Sequence, residues 1–407
     1  MELLRDREIL LGCYEEFVLG FSVDENSRGL VANFSNHAHA GSVKALAAGG
    51  KYLVSGGSDE NVKIFNLRKR DEHGTLQHHD GTISCAVFHE NGKYLFTGSE
   101  DHKICILKAN TWSVEKTLLK HQGTVTDISV HPSGKLALSV GQDQKLITWN
   151  LIKGRSAYVT NVKEAADFVR WSPSGKFYAV GFYQHVDVYD VGTASVIYAA
   201  PVKGRANAVV FLDEDTIIAA GDGPNVGVHS ISRQRLLHEF AAHERRVRCL
   251  HLEPGQYDDD KEFALVTASN DGLIKIWRGS RPSPDHFKFD MDVSHDAKCR
   301  ITCLVVHKTP EIKEPTKLMA SPPANGEVIT VPDDEGENVG SAKKGNKKRK
   351  KPPTKKGLKP KQSTVVEIEA AAENLEDKVM AKRVRLSEKA KKVLEPRTLR
   401  QRQPKKM

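Results

Sequence analysis

"SVGQDQKLITW" (residues 139–149) sets an Asp in the middle of a strand–turn–strand pattern and finishes on Trp. The same pattern returns as "SGGSDENVKIF" (55–65), "TGSEDHKICIL" (97–107) and "TASNDGLIKIW" (267–277). Each copy is eleven residues long, opens on Ser or Thr, has Asp fifth and closes on a bulky apolar residue. Asp59, Asp101 and Asp143 are 42 residues apart, and Asp271 follows 128 residues later, three periods of about 43. A repeat of that length with several short strands per unit predicts propeller blades. Helical repeats of similar period do not fit. The apolar residues alternate as in strands (Val62 and Ile64, Ile104 and Ile106, Leu146 with Thr148 out of phase) between clusters of Gly, Ser, Asn and Asp.

A His precedes the innermost strand of each of these units: His39, His79, His121 and His243. In a four-stranded meander, the loop before the first strand and the turn after the second lie on one side. His121 and Asp143 can therefore meet, with Ser139 and Trp149 close by. On these residues the chain resembles the WD40 family, in which a His–Ser/Thr–Asp–Trp tetrad is hydrogen-bonded inside the blade. His121, Ser139, Asp143 and Trp149 match it completely, as do His243, Thr267, Asp271 and Trp277. His39, Ser55 and Asp59 match with Phe65 in place of Trp, and His79, Thr97 and Asp101 match with Leu107. A buried carboxylate is costly unless partnered, so the recurring pair reads as structural. A hydrolase triad is excluded by repetition, since an enzyme needs one copy. A zinc site is excluded because no blade gathers four His or Cys ligands.

Two diverged units fill the gap between Asp143 and Asp271. "DFVRWSPSGKFYAVGFYQHVDVYDV" (167–191) parallels "DISVHPSGKLALSVGQDQKLITWNL" (127–151) with a shorter turn and no Asp, and "NAVVFLDEDTIIAAGDGPNVGVHSI" (207–231) is another. Its "GDGPNVG" only grazes the dinucleotide fingerprint, with the last Gly misplaced and no helix following. A seventh unit is split between the ends of the chain. "FKFDMDV" (287–293) and "RITCLVVH" (300–307) read as an outer and an inner strand. "ILLGCYEEFVLGF" (9–21) superimposes on 52–65 with Glu15 at the Asp position, so residues 8–23 supply two missing strands. Sharing one blade between both ends removes an open sheet edge. The expectation is an all-β, seven-bladed propeller over residues 8–307, followed by a linker (308–342) and a basic, mostly disordered tail (343–407).

The six Cys are scattered without a CxxC pair, and Cys299 and Cys303 stand about 13 Å apart along a strand, too far to bridge. Free thiols in a reducing compartment are expected. No apolar run is long enough for a membrane span, and the charged "MELLRDREIL" does not read as a signal peptide, which makes the "NFS" sequon at Asn33 incidental.

The net charge of +9 averages two unlike parts. Residues 308–407 hold 26 Lys/Arg and 14 Asp/Glu, a net of +12, whereas residues 1–307 hold 35 and 38, a net of −3. The tail has no Phe, Tyr or Trp, a composition that cannot offset ordering entropy. Its run 343–361 carries eleven basic residues and no acid, among them Lys343, Lys344, Lys347, Lys348, Arg349, Lys350, Lys351, Lys355 and Lys356. It reads as a nuclear or nucleolar address, and the same charges suit contact with RNA phosphates. Without interleaved aromatics such contact would be weakly sequence-dependent. Residues 365–394 have helix-forming composition, acidic first and basic last.

Across its whole length the chain resembles one nucleolar branch of the WD40 family. "LLGCYEEFVLGF", "HPSGKLALSVGQDQKLITWNLIKGRSAY" (131–158), "AHERRV" (242–247) and the lysine-rich tail carry the likeness. It implies a non-catalytic scaffold of the nucleus and nucleolus in 60S ribosomal subunit assembly and rRNA maturation. Its partners would be pre-60S particle proteins and rRNA. The branch's animal members imply the alternative, an adaptor that binds and inhibits p21-activated kinases. No cofactor, metal, membrane or small-molecule substrate is implied. A propeller offers its rim loops to partners. The expected partner face holds the residue before each Asp (Ser58, Glu100, Gln142, Asn270) together with Arg245 and Arg246.

Overall fold

The computed structural model describes residues 2–24, 29–255 and 262–308. Seven four-stranded antiparallel sheets form a β-propeller. Blades one to six follow each other along the chain at 43–76, 83–119, 125–161, 168–201, 206–241 and 247–296, each running from an inner to an outer strand. Each inner strand packs beside the next, and the last of them, Ile301–Lys308, packs beside Val43–Gly49 of blade one.

The closing blade combines Ile301–Lys308 with Arg7–Cys13, Phe17–Asp24 and Gly29–His37. The N-terminal segment thus brings three strands where the sequence pattern suggested two. The third, Gly29–His37, is the blade's exposed outer strand, with too few apolar residues to stand out from a loop. The strand His286–Asp296 belongs to blade six. Arg7–Cys13 runs antiparallel to Ile301–Lys308, pairing Leu11 with Leu304 and Glu8 with His307.

Both faces of Arg7–Cys13 are covered, which explains its near-continuous apolar sequence. Ile9 and Leu11 enter a cluster with Phe21, Val266 and Ile276 towards blade six. Leu10 enters another with Val18, Phe34, Leu53 and Phe65 towards blade one. Two ion pairs flank the strand: Arg7 with Glu253 of blade six, and the fully buried Glu8 with Arg70 of blade one. At its last residue, the free thiol of Cys13 lies 2.7 Å from that of Cys299.

The second residue of the inner strand ties one blade to the next. Thr126 Oγ1 donates to Ala166 O (2.6 Å), Asn207 Nδ2 to Val247 O (2.9 Å), Arg248 Nε to Thr302 O (3.2 Å) and Thr302 Oγ1 to Val43 O (2.6 Å). Ser84 Oγ donates likewise to Val125 O. These bonds satisfy carbonyls at or near the start of the neighbouring inner strand.

The basic residues Lys343, Lys344, Lys347, Lys348, Arg349, Lys350, Lys351, Lys355 and Lys356, and the helix expected over 365–394, lie outside the described residues.

Candidate functional site

In blade three the four signature side chains form one chain of hydrogen bonds. Trp149 Nε1 donates to Ser139 Oγ (2.8 Å), and Ser139 Oγ lies 2.7 Å from His121 Nε2. His121 Nδ1 stands 3.0 Å from Asp143 Oδ1. The second carboxylate oxygen accepts the N–H of Gln122 at 2.9 Å. With the indole as donor, Ser139 can pass its own O–H to Nε2, and Nδ1–H then faces the carboxylate, the tautomer of a neutral ring. Burial lowers the His121 pKa, in spite of Asp143. Burial raises the Asp143 carboxyl, but the N–H of Gln122 and the ring of His121 outweigh it and hold the carboxyl below its usual range.

Blade one repeats the arrangement, with His39 Nδ1 2.8 Å from Asp59 and Nε2 2.7 Å from Ser55. Phe65 fills the Trp place and meets Phe34 edge-on. In blade two His79 bonds Asp101 and Thr97, both at 2.9 Å. Here Leu107 cannot donate, and His78 takes over, its Nε2 3.0 Å from Thr97 Oγ1. The sequence reading passed over His78, although "HH" at 78–79 was its visible signal.

Blade six departs from the expectation. His243 Nε2 is 2.8 Å from Thr267 and Trp277 Nε1 donates to Thr267 at 3.0 Å, but His243 Nδ1 is buried without a partner among the described residues. Asp271 accepts the N–H of Leu273 (3.2 Å) instead of a histidine proton. Two features set this turn apart. The residue after Asp is Gly272 at φ 96°, against 57–67° for Glu60, His102 and Gln144. Lys275 Nζ reaches over to Ala242 O, and with burial it pushes His243 down to about 4.

The nucleophile-like and ligand-like groups of blades one to three are therefore committed inside the sheets. The ligand atoms of His78, His79 and Cys105 lie within 4.8 Å of one another. Both nitrogens of His79 are engaged by Asp101 and Thr97, which leaves two donors, short of a tetrahedral zinc set.

The other candidate residues lie on the side of the His loops and Asp turns. Ser58, Glu100 and Gln142 are exposed and Asn270 is half-buried. Each donates its backbone N–H to the residue that precedes the inner strand: Ser42, Thr82, Thr124 and Arg246 respectively. Arg245 and Arg246 are exposed, and Arg246 lies 3.7 Å from Asp222. The structure adds residues the sequence did not mark. Tyr14, Lys44, Arg248 and Arg300 join Arg246 and Asn270 around a depression at one end of the central channel.

The family model "WD domain, G-beta repeat" matches residues 29–66, 70–107, 112–150 and 234–278. Each matched unit begins on or just before one blade's outer strand and finishes on the next blade's third strand, so the repeat is offset from the blade. A bovine protein named p21-activated protein kinase-interacting protein 1 is 41% identical, covering 86% of this chain and 89% of its own. The mouse protein of that name is 45% identical over 74% and 78% of the two chains. Protein MAK11 of Saccharomyces cerevisiae is 39% identical over a shorter stretch, 20% of this chain and 22% of its own.

Proposed function

The chain belongs to the p21-activated protein kinase-interacting protein 1 family of WD40 propellers, and from that premise we propose that it is a non-catalytic nucleolar scaffold in assembly of the 60S ribosomal subunit. The observation that carries this reading is the run 343–361, with eleven basic residues and no acid, attached to a ring of net charge −3. Such a run serves a nucleolar address and neutralises RNA phosphates. The ring supports binding rather than catalysis, because its recurring His, Ser/Thr and Asp groups hold the blades together. The likeness to the nucleolar branch, read from the sequence, points the same way.

A second reading is an adaptor that binds and restrains p21-activated kinases, and the relatives' name supports its binding part. Affinity purification of the full chain with and without ribonuclease separates the two. The scaffold reading expects large-subunit precursor RNA and ribosomal proteins in the untreated sample, with part of the protein set surviving treatment. A cytoplasmic steady state with no precursor RNA and a co-purifying kinase would overturn it in favour of the adaptor.

A further inference from the structure

The depression at the channel mouth has a volume of about 170 Å³ and is framed by Tyr14, Lys44, Arg246, Arg248, Asn270 and Arg300. Four of its eight lining residues are cations, drawn from blade six, the closing blade and blade one, which are neighbours in the ring. Two repeated positions of the fold produce the cluster. The residue before the inner strand, whose carbonyl accepts the turn N–H, is Ser42, Thr82 and Thr124 in blades one to three. In blade five, blade six and the closing blade it is Arg205, Arg246 and Arg300. The second inner-strand residue, which bridges to the next blade from blades two, three, five and six and the closing blade, is Lys44 in blade one. Lys44 is exposed and has neither a hydrogen bond nor an ion pair among the described residues.

Most of this positive charge is uncompensated. Arg248 donates to neutral acceptors, Thr302 O and Asn207 Oδ1. Arg300 Nε donates to Asn270 Oδ1 at 2.9 Å, and its guanidinium lies 5.0 Å from the Tyr14 ring centre. Of the four cations, only Arg246 ion-pairs with a carboxylate among the described residues, at 3.7 Å. Besides Asp222, the acid Glu15 stands nearby and accepts the backbone N–H of Arg300. Like charges gathered on a small rim repel one another, and an entering anion relieves that repulsion.

We propose that this mouth docks an acidic segment of a partner protein, with one Asp or Glu carboxylate in the depression and Tyr14 against its stem. One observation favours a protein carboxylate over a polynucleotide: the depression holds one side chain rather than a run of phosphates. The proposal rests on the reading of the ring as a binding scaffold, and it holds for a nucleolar or a kinase-directed scaffold alike.

The test uses the full chain with Lys347, Lys348, Arg349, Lys350 and Lys351 replaced by Gln, to weaken the tail's own attraction for anions. The probe is a fluorescent, photoreactive Asp/Glu decapeptide, with its Asn/Gln counterpart as control. Arg248→Gln with Arg300→Gln is expected to weaken binding at least about tenfold, the loss of one charge-assisted hydrogen bond or more. Crosslinks are expected at the Tyr14 turn and the loops before Val43, Val247 and Ile301. Lys44→Gln removes no hydrogen bond or ion pair among the described residues, so it tests the site with little effect on the fold, and a loss of about threefold or more is expected. Unchanged affinity in both variants, or crosslinks confined to other surfaces, overturns the proposal. So does a single-stranded oligouridylate whose binding falls with these substitutions while the peptide's does not. Because the assay uses purified protein, its failure leaves the nucleolar reading standing, and mislocalisation in cells leaves this one standing.

Discussion

Asp143 holds its loop through three donors: the ring of His121 and the backbone N–H groups of Gln122 and Lys145. Asp143→Ala strands these donors, the His121 ring among them, and is expected to cost about 3–5 kcal/mol, since a hydrogen bond to a charged group is worth about 1.5–3 kcal/mol. Asp271→Ala, which loses no histidine partner, is expected to cost about 1 kcal/mol. Denaturant midpoints of the two variants check this, and equal shifts would show that the carboxylates do the same work. In blade two, His78→Phe removes the donor that replaces the indole and should cost about 1 kcal/mol. The buried rings also set a pH dependence. Burial, above other causes, depresses His78, His229 and His243 to about 4 from 6.5. Between those values the unfolded chain binds more protons than the folded one, so stability falls as pH drops from about 6.5 towards 4. By pH 5 each ring should cost on the order of 1–2 kcal/mol. Thermal melting between pH 7 and 5 measures this, and His243→Gln should flatten the curve. Sequence spacing brought His121 and Asp143 together because the meander fixes which loops meet. It could not show Lys275 reaching Ala242 O, since that contact depends on side-chain reach and not on period.

The closing blade is the element on which the ring depends. Deleting residues 1–24 removes two strands, bares the edge of Ile301–Lys308 and leaves Gly29–His37 without its partner. It also empties the apolar contacts that Ile9, Leu10 and Leu11 make with two neighbouring blades. An exposed central edge is a template for pairing between chains, so the truncated protein is expected to aggregate, whereas removing 309–407 should leave the melting temperature within a degree or two. Size-exclusion chromatography checks both, and a monodisperse chain lacking residues 1–24 would contradict the closure. Part of this element was legible. "ILLGC" is apolar at consecutive positions because both faces of the strand are covered, and Glu15 stands where the turns of blades one, two, three and six have Asp. The outer strand Gly29–His37 was missed because an edge strand exposed on one face needs few apolar residues. The bridges from the second inner-strand position escaped notice for another reason: Ser84, Thr126, Asn207, Arg248 and Thr302 share a place in the fold but no chemistry that a pattern search would align.

At the scale of the whole molecule, the chain sets a net-negative ring against a strongly basic segment, and that asymmetry separates two kinds of contact. Blade count and ring closure follow from a period near 43 residues, which can be read without coordinates. The cationic mouth cannot, because Lys44, Arg246, Arg248 and Arg300 converge only once the ring has brought residues 44 and 300 side by side. The basic run 343–361 poses the opposite problem, being plain in sequence and open in role. Replacing Lys347, Lys348, Arg349, Lys350 and Lys351 by Gln is expected to lower nucleolar accumulation and leave the ring's melting unchanged. With single-stranded RNA, binding by the native chain should weaken with salt at a log–log slope of about 0.7 per neutralised phosphate. Loss of five cations should make that slope shallower by up to about 3.5. Fusing an unrelated nucleolar signal to the variant then divides the roles of the run. Restored ribosome assembly assigns it an address alone, whereas continued failure with the protein in place assigns it a contact within the particle. An unchanged slope together with unchanged localisation would remove the run from both roles and take away the observation on which the nucleolar reading stands.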